Sequence, residues 1–319
     1  LGQIALGHAG FMSVGAYAAA IFSMKIAEAA KLVENGAPTA AGFGTFLASL
    51  VVAGVVAAIF GLIVGIPALR LKGDYLAIIT LGFAEIIRVV MQNIDSVLGF
   101  TLTGGAKGLT GIPSYTNFLN TFIVVVISLF LIHTMMKSRH GRAILSIRDN
   151  EIAAESCGVN TTYYKTLAFV ASAFFAGVAG GLYAGCIGVM APAKFGFMKS
   201  IEILVMVVLG GMGSMLGSVI SATVLTILPE ALRAVSDYRM VVYAVVLILV
   251  MIFRPEGLLG DYDFSMSRVI ERIMNHGKRP EDLAPATTPA AEAVAAAPEP
   301  STVTAATEKD TGKEAHTHE

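Results

Sequence analysis

The sequence predicts an all-α polytopic membrane protein: a bundle of transmembrane helices with a re-entrant or broken helix pair and a short cytoplasmic coupling helix. Three observations carry this. Of 319 residues, 55% are hydrophobic and 14% charged, where soluble domains carry about 25% charged residues. Mean hydropathy is +0.73, and the apolar residues gather into runs long enough to cross a bilayer. Lys and Arg cluster at the ends of those runs, as they do where loops stay in the cytoplasm.

The first run, about Ile4 to Ile26, is rich in small residues, including Gly7, Gly10, Ser13, Gly15 and Ala18 to Ala20. Small residues let helix backbones approach closely in lipid, so this span is expected among other helices. His8 lies within it and is a candidate for a translocation pathway, since a polar residue inside a span is costly. Near a chain end it also suits the membrane interface. Ala27 to Pro38 carries both charge signs, a Gly and a Pro, and reads as a loop. The second span runs from about Phe43 to Ile66, followed by Pro67, Arg70 and Lys72. The third, Tyr75 to about Met91, holds Glu85 and Arg88 at i, i+3. So spaced, they can neutralise each other inside the membrane, which makes Glu85 a second pathway candidate; the alternative places both among headgroups.

Gln92 to Thr116 contains TLTGGAKGLTGIP. A phosphate-binding loop needs G-x-x-x-x-G-K-[ST] between a strand and a helix. Here Lys107 is followed by Gly108, so nucleotide binding is rejected and the stretch reads as an external loop. The fourth span is about Phe118 to Met136. The fifth, about Leu167 to Met190, carries Gly177, Gly180, Gly181 and Gly185. The last span is about Met240 to Phe253, closed by Arg254 and Pro255.

Between the fourth and fifth spans lies a polar island, KSRHGRAILSIRDNEIAAESCGVNTTYYK, from Lys137 to Lys165. It is too polar for lipid. Asp149 or Asn150 can cap a short helix, and Gly158 sits where a helix end takes a left-handed residue. A helix of about two turns is unstable alone, so it needs neighbours or a partner. Ile152, Ala153, Ser156 and Cys157 share one side. Glu151 and Glu155 share another, with Arg148 one turn before Glu151. This pattern reads as a docking element, and a solvated linker is the plainer alternative.

Basic residues after the second span, across the island and after the last span place all three in the cytoplasm. Residues 191–199 and 230–239 then lie outside, so Ser200 to Pro229 must enter the membrane and return. About thirty residues span roughly 45 Å as helix, short of the roughly forty residues that two crossings need. A hairpin of half-length helices, broken across GGMGSMLG from Gly210 to Gly217, satisfies both counts. Broken helices at membrane depth often line substrate sites, so Gly210, Gly211 and Gly213 join the pathway candidates. The rival is one long tilted span. Glycine and serine punctuate both residues 1–20 and 208–227, a texture consistent with two related halves.

The two cysteines, Cys157 and Cys186, show neither metal-ligand spacing nor a disulfide framework. The sequence predicts a transmembrane domain over 1–260 and a mostly disordered cytoplasmic tail over 261–319, rich in Ala, Pro, Thr and Glu. The chain opens with Leu1 inside an apolar stretch, as if truncated at the N-terminus. No catalytic set, metal cluster, nucleotide loop or basic patch for nucleic acid is present. These residues leave three classes open: a pore-forming subunit driven by another chain, an ion-coupled secondary carrier, and a non-transporting scaffold in the lipid bilayer.

Several stretches together resemble one family. LGQIALGHAGFMSVGAYAAA, RLKGDYLAIITLGFAEIIR, TGGAKGLTGIP, SIRDNEIAAESCGVN, LAFVASAFFAGVAGGLYA, MVVLGGMGS and FRPEGLLG look like the permease subunit of branched-chain amino acid ABC importers, the M-type rather than the H-type. The resemblance covers about residues 1–260. It implies a multi-pass protein of the bacterial inner membrane with a cytoplasmic C-terminus. It also implies a second permease subunit, two cytoplasmic ABC ATPase subunits and a periplasmic amino acid-binding protein. ATP and Mg would bind the ATPases, so this chain would hold no cofactor and catalyse nothing. Arg148, Asp149, Asn150, Glu151, Ile152, Ala153, Ala154 and Gly158 would form the element that fits an ATPase groove, although the family's E-A-A…G pattern is matched only loosely. The carried solute would be leucine, isoleucine, valine or a related small polar molecule such as an amide or urea.

Overall fold

The computed structural model describes residues 2–30, 33–34, 37–38, 40–71, 73–99, 103–113 and 116–231, with the isolated positions 244, 245 and 248. The chain divides into two units, Leu1–Asp263 and Phe264–Glu319. All described residues lie in the first. The expected tail, and nearly all of the span expected from Met240 to Phe253, lie outside the described residues.

Helix α1 (His8–Ala30) is followed by two short paired strands, β1 (Val33–Glu34) and β2 (Ala37–Pro38). The first span therefore starts four residues later than expected and runs on into the stretch read as a loop. Helix α2 (Ala40–Ala68) takes in Pro67 within its last turn. Helix α3 (Asp74–Leu98) runs past Met91, well into the predicted loop. Strand β3 (Leu109–Thr110) pairs antiparallel with β4 (Val189–Met190), tying the glycine-rich loop to the far end of the fifth span. Helix α4 (Phe118–Lys137) leads to α5 (Arg139–Asp149) and α6 (Glu151–Ser156). Helix α7 (Thr161–Ile187) begins inside the polar island, because Asn160 caps it: its Oδ1 accepts the Tyr163 N–H at 3.0 Å. Helices α8 (Phe197–Gly210) and α9 (Met215–Ala231) follow.

Four of these helical stretches are long and apolar enough to cross a membrane: His8–Ile26, Phe43–Ala68, Phe118–Lys137 and Thr161–Ile187. The expected third span is not among them. Helix α3 buries Leu76, Thr80, Ala84 and Ile87 at helical spacing and leaves Ile78, Ile86, Val89 and Val90 exposed.

Helices α1, α2 and α7 pack against one another and form the centre. Phe11, Val14, Ala57, Val64, Leu76, Phe169 and Ala173 fill it. A second cluster joins Tyr17, Ile112, Met190 and Phe195, and the Tyr17 hydroxyl donates to the Met190 carbonyl at 3.2 Å. The α1–α7 crossing depends on glycine. A Cβ on Gly15 would strike the Gly177 backbone, and one on Gly180 would strike the Met12 carbonyl. Close backbone approach of this kind replaces the hydrophobic drive that lipid does not supply. Helix α4 is the opposite case, for it has no buried residue and touches mainly α5.

The expected hairpin is present. Helices α8 and α9 contain 14 and 17 residues. At 1.5 Å per residue they span about 21 and 26 Å, each short of a bilayer core of about 30 Å.

Candidate functional site

The polar island folds as an arm of two helices rather than one. Ser138 starts α5, its Oγ accepting the Gly141 N–H at 3.3 Å, and Ile144 and Ile147 are buried. At Asn150 the backbone is extended, with φ −157° and ψ 109°. This breaks the chain between α5 and α6. The Asn150 Oδ1 accepts the Ala153 N–H at 3.1 Å, so of the two residues expected to cap, Asn150 is the cap. Asp149 ends α5 instead, and its Oδ1 pairs with Arg148 Nε at 3.2 Å. Arg148 and Glu151, one turn apart in the sequence, fall on different helices because the chain breaks at Asn150. Gly158 adopts φ 82°, the left-handed conformation expected at the helix end.

Six residues do not make a stable helix alone, and α6 is held from below by α7. Lys165 Nζ lies 2.7 Å from Glu151 Oε1, with the lysine side chain 6% exposed and the glutamate 27%. The Thr161 hydroxyl donates to Glu155 Oε1 at 2.6 Å. Ala154 is 5% exposed and faces the bundle. The opposite side is open: Ile152 is 77% exposed, and Ala153, Ser156 and Cys157 are exposed beside it. Helix α6 thus presents an apolar, small-residue face, with Glu151 and Glu155 engaged by Lys165 and Thr161 of α7.

Beside the arm lies a cavity of 460 Å³. Ile132, Met135 and Met136 of α4 and Ile144 of α5 form one wall. Leu69, Leu76, Phe169 and Phe175 form the other. His8 stands at its edge between two partners, with Nδ1 3.2 Å from the Ala5 carbonyl and Nε2 3.2 Å from Ser172 Oγ. A carbonyl only accepts, so in the neutral ring the hydrogen sits on Nδ1 and Nε2 accepts.

Glu85 and the hairpin glycines occupy other places; none of them lines this cavity. Glu85 Oε2 pairs with Arg88 Nε at 2.6 Å, as the spacing predicts. Its other oxygen accepts the Phe197 N–H at 2.8 Å, so a side chain of α3 caps the start of α8. At the hairpin tip, Gly211 and Gly213 take φ 101° and 116°. Gly210 and Gly217 are too close for a Cβ on either. The Ser221 hydroxyl donates to the Met206 carbonyl at 2.7 Å, fastening α9 to α8.

Sequence reasoning missed Lys165, Thr161, Gln3 and Ser172. A lone lysine at the head of an apolar run was the available signal for Lys165. The others have ordinary composition and gain meaning only from what they face. Among the described residues no cluster of His, Cys, Asp or Glu could hold a metal ion.

Residues 1–251 match the family model described as "Branched-chain amino acid transport system / permease component". The chain is 35% identical over 292 residues to the high-affinity branched-chain amino acid transport system permease protein LivM of Salmonella typhimurium, covering 81% of this chain and 64% of that protein. The same figures hold for LivM of Escherichia coli. LivH of Escherichia coli is 38% identical over a shorter stretch, 39% of this chain and 40% of its own length. The chain therefore spans 64% of the length of these LivM relatives, and its likeness to the M-type runs over twice as much sequence as its likeness to the H-type. No solved structure matches it significantly. With its membrane-length helices packed on glycine and its polar arm at one end, the chain belongs to the branched-chain amino acid transport permease family, on the M-type side.

Proposed function

We propose that this chain is the non-catalytic, membrane-spanning permease subunit of a bacterial inner-membrane ABC importer for leucine, isoleucine, valine or a related small solute. A second permease completes the pore, and two cytoplasmic ATPases bind ATP and Mg beneath it. A periplasmic binding protein delivers the solute. The observation that carries this reading is the α6 face of Ile152, Ala153, Ser156 and Cys157, exposed on a short helix whose other side is clamped to α7. A surface so held can enter a groove on an ATPase and pass its movement to α7 without melting. The arm then lies in the cytoplasm, and so does the C-terminus.

The LivM relatives support the substrate class by their names, and the absence of a nucleotide loop in the sequence supports a motor on other chains. Within the arm, Ala153 is the residue to test, because Ala154 is buried and a change there would disturb the bundle itself. The complex is reconstituted in vesicles with its ATPases and binding protein, and ATP-driven uptake is measured for a panel of amino acids. Wild type is expected to accumulate leucine, isoleucine or valine. Ala153→Trp is expected to abolish uptake while the chain still inserts and folds. Unchanged uptake in that variant overturns the docking assignment. Uptake driven by an ion gradient with no ATP overturns the ABC reading.

A further inference from the structure

The cavity beside the arm makes no polar demand on what fills it, and its rim is cationic. We propose that it holds an acyl chain of an anionic phospholipid, whose phosphate meets Arg70 and Lys137 at the rim. Such a site is independent of which solute the chain carries.

The interior selects a hydrocarbon tail. His8 and Ser172 meet each other, and Gln3 Oε1 is closed off from the space. The rest of the lining is Ala, Leu, Ile, Met and Phe. A solute with charged ends would leave them unmatched there, at high cost. A hydrocarbon chain has none, and filling the space restores dispersion contacts that a void forfeits. The way in is lateral. The cavity is half open and lies between α4 and the bundle. Helix α4 has no buried residue, and its outward face, with Phe122, Val126 and Phe130 exposed, suits contact with lipid.

The rim selects the headgroup. Arg70 follows Leu69 of the lining, Lys137 follows Met136, and Arg139 and Arg142 stand in the first turns of α5, ahead of Ile144. All four are exposed, and none pairs with a described carboxylate. Arg148 and Lys165 at the same end do have such partners. Asp74, in the first turn of α3, is the carboxylate set against the four cations. Long basic side chains lay their stems on apolar surface and keep their heads at the membrane surface, where each attracts anionic lipid. Tyr163 and Tyr164 stand at the start of α7 at this end, and tyrosines favour the headgroup level. A lipid with no net charge would suit the walls equally and leave the cations uncompensated. Because Ile144 belongs to the arm and Phe169 to the glycine-packed centre, a lipid seated between them braces one against the other.

The test uses the assembled complex in phosphatidylethanolamine vesicles. A trace of phosphatidylglycerol, or of phosphatidylethanolamine, carries a diazirine near the end of one acyl chain, and photolabelled peptides are mapped by mass spectrometry. Phosphatidylglycerol is expected to label residues 168–175 of α7, behind α4, about tenfold more than phosphatidylethanolamine does. Unlabelled phosphatidylglycerol should displace that label, while inorganic phosphate and leucine should not. Arg70→Gln combined with Lys137→Gln, both at exposed positions, should lower the phosphatidylglycerol label about tenfold and leave the phosphatidylethanolamine label unchanged. Ala171→Phe, which fills the cavity, should remove label from both. Equal labelling by the two lipids, the result of ordinary contact with bulk lipid, overturns the proposal, as does undiminished phosphatidylglycerol label in the double variant. Displacement by leucine overturns it in favour of a solute, and label confined to the outward face of α4 overturns it in favour of a cavity covered by another chain.

Discussion

The α1–α7 crossing and the α5–α6 arm hold together by opposite means. At the crossing, backbones touch where Gly15 meets Gly177 and Gly180 meets Met12, with a His8–Ser172 contact toward one end. In the arm, two short helices depend on polar contacts: the Asn150 cap, the Glu151–Lys165 pair and the Glu155–Thr161 bond. The difference follows from surroundings. Dense van der Waals contact is the attraction lipid leaves to helices, whereas short helices at the polar end need their free backbone groups matched. It also separates fixed from movable parts. The centre, α7 included, tolerates no change of spacing, while the arm meets it through side-chain bonds from α6 to α7.

That contrast can be broken from either side. The largest effect is expected at the crossing. Gly177→Leu drives a side chain into Ala53 and Ala57 of α2, an overpacking that costs ~3 kcal/mol or more. Its readout is loss of monodisperse protein in detergent, with a lower unfolding temperature in whatever remains. Next is Glu151→Gln, which leaves the buried Lys165 ammonium facing a neutral amide. Breaking a buried pair costs up to ~5 kcal/mol; with Glu151 27% exposed, about 2 kcal/mol is expected here after allowance for solvent screening. Uptake should fall with little loss of folded protein, and the exchange Glu151→Lys with Lys165→Glu should restore part of it. A purely structural pair would restore stability without restoring uptake.

Glu85→Ala removes the carboxylate that joins Arg88 to the first N–H of α8. Loss of about 1–2 kcal/mol is expected, read as faster amide exchange at the start of α8 with α1 and α7 unchanged. The smallest effect belongs to Asn150→Ala, about 1 kcal/mol for a lost N-cap. It should appear as fraying of α6 in the free chain and disappear once the ATPases bind.

The same contrast decides what was legible in the sequence. Apolar runs fixed the positions of α1, α2, α4 and α7, because lipid demands long uninterrupted hydrophobicity. Glycine spacing located the α8–α9 break, and a cap at Asp149 or Asn150 and the Gly158 end of α6 were readable because both are local backbone requirements. Helix α5 was not readable. Its turns carry Arg139, His140, Arg142, Arg148 and Asp149 around only a few apolar residues, so its period is weak until Ile144 and Ile147 find the bundle. Contacts between distant residues were equally hidden: Glu85 reaches Phe197 across 112 positions, and His8 reaches Ser172 across 164. Arg148 shows the converse: its spacing put it one turn before Glu151, and the break at Asn150 sets the two on different helices.

The central claim is that the exposed face of α6 is covered by an ATPase, and two native residues test it without mutation. Cys157 lies at the end of that face, and Cys186 is exposed near the opposite end of α7. Labelling of both by a small maleimide is followed in detergent, with and without the ATPase subunits bound. The account predicts that bound ATPases slow the reaction of Cys157 about tenfold, as expected when a partner covers an exposed thiol, and leave Cys186 unchanged. Equal labelling of Cys157 in the two states would contradict it.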